Sequence, residues 1–167
     1  MTLRADVAAW DGKSKPAIEA VFVRYGGRAS FMHDLVELSA EASLQSGATW
    51  LLKRALSAGR KLDEHTSAEL VGRLPALEVW EAQLHVLQCL PLLRIPAGSR
   101  QTAEHFVRAC FDSPKTFVRA WAYSGFYELA RRFEELRPEA QKLAEAALDA
   151  TEASVRARMR QTLAKPW

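Results

Sequence analysis

The chain is poor in the residues that mark extracellular, membrane-spanning or β-sheet proteins. Only two cysteines, Cys89 and Cys110, occur in 167 residues. Both sit in apolar surroundings without paired spacing, which excludes a disulfide framework and favours a reducing compartment. No charged n-region leads into an apolar h-region, and no apolar run reaches the length of a membrane span. A soluble, cytoplasmic protein without membrane contact is expected. Runs of β-branched and aromatic residues are equally scarce: Val21-Phe22-Val23 is the only one, too short and isolated for a strand. A phosphate-cradling glycine loop, G-x-S-x-G, a zinc-binding helix motif and Cys-x-x-Cys are all missing. The chain thus carries no enzyme signature, and neither cofactor nor metal is expected.

What is present is a helix-forming composition, 49% hydrophobic and 26% charged, long enough for one domain with a substantial core. The net charge of +3 is concentrated near the end of the chain, where Arg156, Arg158, Arg160 and Lys165 stand against Glu152. Residues 1–28 read as an arm followed by a capping helix that starts at Pro16 and carries Ile18, Val21, Phe22 and Tyr25 on one stripe. Residues 29–164 read as four helix pairs, over 29–58, 65–94, 99–132 and 138–164. The residues closing each first helix (Leu38, Leu74, Phe111, Leu148) and the first apolar residues of each second helix (Leu44, Trp80, Val118, Val155) recur with one common period. A helix pair of this length cannot bury both faces alone, so the expected architecture is an all-α stack of pairs.

The clearest copies are Asp112…Val118-Arg119-Ala120 and Asp149…Val155-Arg156-Ala157. This turn resembles HEAT-like repeats. The resemblance implies a right-handed α-solenoid of about four helix pairs plus an N-terminal helix, with aspartate and arginine of successive turns forming a ladder along the stack. At the equivalent positions of the first two pairs stand Leu44-Gln45 and Trp80-Glu81, where the ladder is expected to break.

Apolar residues at helical spacing define the buried stripe of each second helix: Leu44, Ala48, Leu51, Leu52 and Ala55 in the first, and Val118, Ala122, Gly125, Phe126 and Leu129 in the third. Gly125 inside a helix implies close approach by a neighbour. The complementary positions predict a groove lined by Gly47, Trp50 and Arg54, then Gln83, Val86 and Leu90, then Trp121, Ser124 and Glu128, then Arg158 and Gln161. Exposed tryptophan beside arginine is the composition of a binding anchor. The expected function is a non-enzymatic scaffold whose groove holds another protein as a helix or extended segment. The contacts are assigned to Trp50, Arg54, Gln83, Trp121, Glu128 and Arg158. The alternative is DNA binding, because HEAT-like stacks also occur in bacterial alkylated-base DNA glycosylases, whose groove presents Trp, Asp and Arg to the duplex. A pigment-handling lyase-like chaperone shares the repeat as well.

Five other clusters bring reactive or charged side chains together. His85 and Cys89 with His105 and Cys110 form an imaginable zinc set, but the second pair is five residues apart, which turns its members by about 140° on a helix. His33-Asp34 and Asp63-Glu64-His65 are sequence neighbours that diverge on a helix, as expected of surface charge or capping. Glu134-Glu135 beside Arg131-Arg132 reads as a solvated helix end. Trp121, Tyr123, Phe126 and Tyr127 crowd one helix near Arg119, Arg131 and Arg132, a mixture able to stack bases and pair phosphates.

Overall fold

The computed structural model describes residues Met1–Trp167 and is all-helical, without strands. Its ten α-helices are α1 (Leu3–Ala8), α2 (Lys15–Tyr25), α3 (Phe31–Leu38), α4 (Gln45–Ser57), α5 (Glu64–Arg73), α6 (Trp80–Cys89), α7 (Arg100–Cys110), α8 (Thr116–Arg132), α9 (Arg137–Leu148) and α10 (Ala153–Leu163). None is long and apolar enough to cross a membrane. The even-numbered helices pack each on the next from α2 to α10, while α3, α5 and α7 pack successively behind them. Connecting the two layers, α3 lies on α4, α7 on α8, and α9 on both α8 and α10. One continuous cluster of buried apolar side chains runs from Leu3 to Met159.

The stripes expected for the first and third second helices are buried throughout. α8 is the hub, in contact with α6, α7, α9 and α10. A Cβ built on Gly125 would lie 3.0 Å from Leu87 Cδ2 of α6, the close approach that removes a side chain there.

The second pair departs from the expected register. Val79 packs against the core ahead of α6, and Ala82, Val86, Leu87 and Leu90 are buried. The stripe therefore begins one residue before Trp80, and Val86 and Leu90 belong to the core rather than the groove. The bulky Trp80 stays half-buried because its ring lies under Lys115 Nζ of the following turn, 5.2 Å from the ring centroid. Pro91 lacks an amide donor, and the last turn tightens into the 3-10 segment Leu90–Leu92.

Residues 1–14, expected as a partly ordered arm, instead contain a packed helix. Thr2 caps α1, Val7 is buried, and Asp11 Oδ1 accepts from the amides of Lys13 and Ser14. The buried Asp6 accepts from the Tyr25 hydroxyl at 2.8 Å and from Arg24 Nη1 at 2.6 Å; these contacts, the Tyr25 hydrogen bond foremost, hold its carboxyl below the ordinary aspartate range. α1 rests on α4 where Gly47 has no side chain, since a Cβ there would meet Val7 Cγ1 at 2.8 Å. Gly47 is thus covered by α1 and does not open onto the groove.

The turn contacts revise the expected ladder. Asp112 and Asp149 are exposed and make no ion pair. Arg119 instead donates to Ser113 O, at 2.7 Å, and to Glu152 Oε1 of the next turn, at 3.0 Å. Arg156, one repeat later, donates to Ala150 O at 2.7 Å. Nor is the series broken at Gln45. Its buried side chain accepts from the amides of Glu78 and Val79 and donates to Ala76 O, joining the first turn to the second.

Gln45→Ala leaves two amides at the start of α6 and one carbonyl without these partners in a part-buried turn. The expected loss is about 2–3 kcal/mol of unfolding free energy, read by urea denaturation. A loss within about 0.5 kcal/mol, ordinary for surface substitutions, would show that the turn does not depend on this side chain.

Candidate groove on the even-numbered helices

Two adjoining hollows open on the even-numbered layer. The first is lined by Lys15 and Glu19 of α2 with Trp50, Lys53, Arg54 and Ser57 of α4. The second lies between the end of α6, α8 and α10, and its lining includes Gln88, Trp121, Glu128, Arg131, Arg158 and Lys165. They are joined by a hydrogen bond of 2.8 Å from Lys53 Nζ to Gln88 Oε1. Trp50 and Arg54 thus meet in one hollow, Trp121, Glu128 and Arg158 in the other.

Gln83 lines neither hollow. Its Nε2 donates to Leu77 O at 2.9 Å, folding the side chain back over the start of its own helix. The one-residue shift of α6 accounts for this placement.

The electrostatics within the hollows are uneven. Arg54 is held by Glu19 at 2.8 Å and stacks on Phe22, and Arg131 is held by Glu128 at 3.1 Å. Arg131 further donates to the carbonyls of Thr162, Lys165 and Pro166. These two pairs consume both carboxylates of the lining. Lys15, Lys53, Arg158 and Lys165 have no carboxylate partner. Burial pushes the Lys53 ammonium and the Arg158 guanidinium to lower pKa, so both are charges held against a desolvation cost. The guanidinium of Arg158 lies 4.1 Å from the Trp121 ring centroid, and its Nε is buried without a hydrogen-bond partner.

The side chains beneath are fixed. Thr162 Oγ1 donates to Arg158 O at 2.9 Å, so Ser124 Oγ is the donor in the 2.8 Å bond to Thr162 Oγ1. Lys15, Lys53 and Gln88 lie off the stripe that places Trp50, Trp121 and Arg158, while Arg131 and Lys165, read from the sequence as parts of the aromatic cluster and the basic end, line the groove as well. Lys53 sits next to Arg54 and reaches the groove only through its long aliphatic stem.

The remaining clusters disperse. Tyr123 packs edge-on against Phe111, Phe126 is buried, and Tyr127 stacks on Trp167, so Trp121 alone of that aromatic group lines the groove. Arg132 donates to the carbonyls of Leu90 and Pro91. The four imagined zinc ligands do not converge: His105 is exposed, while the thiols of Cys89 and Cys110 are buried and pushed up to about 12 by that burial. His85 bridges to α4, 3.0 Å from Thr49 Oγ1. The Thr49 hydroxyl donates to Gln45 O at 2.7 Å, so it accepts from Nδ1–H of a neutral imidazole.

Burial, aided by the charge of Lys53, lowers the His85 pKa to about 3, whereas an unfolded histidine titrates near ~6.5. Between these values the unfolded chain binds a proton that the folded chain refuses, so stability falls as pH falls, by at most about 1.4 kcal/mol per pH unit from this group. Asp6 adds a loss of the same sign below the ordinary aspartate range. Urea titrations at neutral and mildly acidic pH should show a shallower fall for His85→Gln than for the unaltered protein; parallel curves would mean that His85 is not held neutral.

Comparison of the chain with protein-family models, curated proteins and solved structures finds no match.

Proposed function

We propose that the protein is a right-handed α-solenoid of about four HEAT-like helix pairs with an N-terminal helix, and that it acts as a non-enzymatic scaffold for an acidic segment of a partner protein. The segment, helical or extended, lies along the even-numbered helices. The observation that carries this reading is the presence of four cations without carboxylate partners beside Trp50 and Trp121 in two connected hollows. Aromatic rings supply contact area, and unpaired cations supply charge complementarity and orientation. Stacked pairs suit the task because each second helix contributes its own side chains to one extended surface.

DNA offers the same sign of charge. Base-excision chemistry of the glycosylase kind is disfavoured because no aspartate lines the groove and its two glutamates are engaged by arginines. The single groove tryptophan of α8, its ring covered by Arg158, also gives little platform for successive bases.

Fluorescence anisotropy of a labelled glutamate-rich helical peptide and a labelled DNA duplex, each across a salt series, tests the assignment. Peptide binding is expected. It should weaken about tenfold or more in Lys53→Gln/Arg158→Gln, and likewise in Trp50→Ala/Trp121→Ala, roughly the effect of losing 1.4 kcal/mol of contact. Duplex binding with a steep salt slope and no peptide binding would place nucleic acid in the groove. If neither probe binds, the acidic-partner reading fails.

A further inference from the structure

The odd-numbered layer carries a second constellation, remote in kind from the groove. α3 presents His33 and Glu37 one helical turn apart, and α5, packed on α3, presents His65 and Glu69 with the same spacing. Residues four apart share a helix face, so two His-x-x-x-Glu pairs are set side by side. Ligand atoms of His33, Glu37 and Glu69 all lie within 4.8 Å of one another. Glu69 is central: its Oε2 is 3.7 Å from His33 Nε2 and its Oε1 is 3.7 Å from His65 Nε2. Glu69 Oε2 is also buried and has no hydrogen-bond partner. A carboxylate oxygen shielded from water, unpaired and facing an imidazole nitrogen just beyond hydrogen-bond distance, calls for a shared cation.

We propose that His33, Glu37, His65 and Glu69 bind a divalent first-row transition metal, zinc foremost. The donor set is two imidazole nitrogens and carboxylate oxygens without thiolate, which suits zinc, cobalt, nickel or copper better than magnesium or calcium. The neighbouring groups fit this role. Asp34 Oδ1 stands 4.0 Å from His33 Nδ1, on the opposite side of the ring from Glu69, where a carboxylate orients a ligating histidine. Arg73 Nη2 engages Glu37 Oε1 and leaves Oε2 for the metal. Because the ligands come from α3 and α5, the ion would clamp two successive members of the odd-numbered layer. The role we assign is structural, a tie between α3 and α5, with a hollow lined in part by Arg4, Arg28, Asp34 and Glu37 opening beside the site.

The experiment uses untagged full-length protein, freed of metal with a chelator and titrated with zinc chloride by calorimetry and with cobalt chloride by visible absorption. One bound ion per chain is expected, with a rise in thermal midpoint on adding zinc and cobalt d–d bands of a histidine–carboxylate site. Glu69→Gln and His33→Gln should each weaken zinc binding about tenfold or more and abolish the thermal shift. Both positions tolerate substitution, since His33 is exposed and Glu69 is partly so, and circular dichroism verifies that the variants are folded. His105→Gln, at an exposed histidine elsewhere on the surface, should leave affinity unchanged. Absence of zinc binding at about 100 μM, or equal affinity in Glu69→Gln and the unaltered protein, overturns the proposal.

Discussion

Helix ends expose carbonyl groups that the helix itself cannot satisfy, and this fold depends on arginine to cover them. Few of its helices end in the left-handed glycine that normally closes the last turn: only Gly12 and Gly59 have positive φ. Arg60 donates to Gly26 O and Arg28 O after α2, and Arg73 to Val36 O and Glu37 O at the end of α3. Arg132 covers Leu90 O and Pro91 O after α6, Arg137 covers Ala130 O in α8, and Arg131 covers the carbonyls following α10. Arg119 and Arg156 serve the turns before α8 and α10. A guanidinium is suited to this because its several donors diverge from a rigid plane and its charge opposes the negative end of the helix dipole. Most of these bonds join different helices, so capping and stacking are one interaction.

That constraint explains why the apolar stripes of α4 and α8 were legible in the sequence and the contacts between turns were not. The apolar stripes of α4 and α8 appear directly as Leu44 to Ala55 and Val118 to Leu129, because burial between two layers demands apolar side chains at helical spacing. The ladder is different. Its requirement is a side chain that makes a polar or cation–π contact with the next turn, and the chain meets it with Gln45, Trp80 beneath Lys115, and Arg119 with Glu152. Three unlike chemistries occupy one structural position, and a pattern expecting aspartate and arginine reads two of them as gaps.

The groove was legible in its anchors and misread between them. Trp50, Arg54, Trp121, Glu128 and Arg158 all line it, because their places follow from stripes correctly set in α4, α8 and α10. Gln83, Val86 and Leu90 do not, since the tryptophan at 80 is the largest apolar residue near the start of α6 and draws the register one residue too far. A rotation of about 100° follows from that single step, enough to exchange core for surface. The helix formed by residues 3–8 escaped for another reason: it is held by Asp6, Arg24 and Tyr25, contacts across long sequence separations that no local periodicity displays.

Charge separates the two layers more sharply than hydrophobicity does. In the odd-numbered layer Arg4 pairs with Glu41, Arg73 with Glu37, Arg100 with Glu135 and Arg108 with Glu139, each bridging one helix to the next unit. Such exposed pairs contribute little energy singly, about 0–1 kcal/mol each, but they neutralise that surface. In the groove the two lining carboxylates are spent on Arg54 and Arg131, and Lys15, Lys53, Arg158 and Lys165 remain over. The net charge of +3 is therefore more than accounted for by one face. Arg158 makes the point most directly, because it is partly withdrawn from water, rests on Trp121 and keeps a buried Nε without a partner. Stability alone would favour a neutral or paired residue there. Arg158 is thus a cation retained at a desolvation cost, stacked on an aromatic ring rather than paired with a carboxylate.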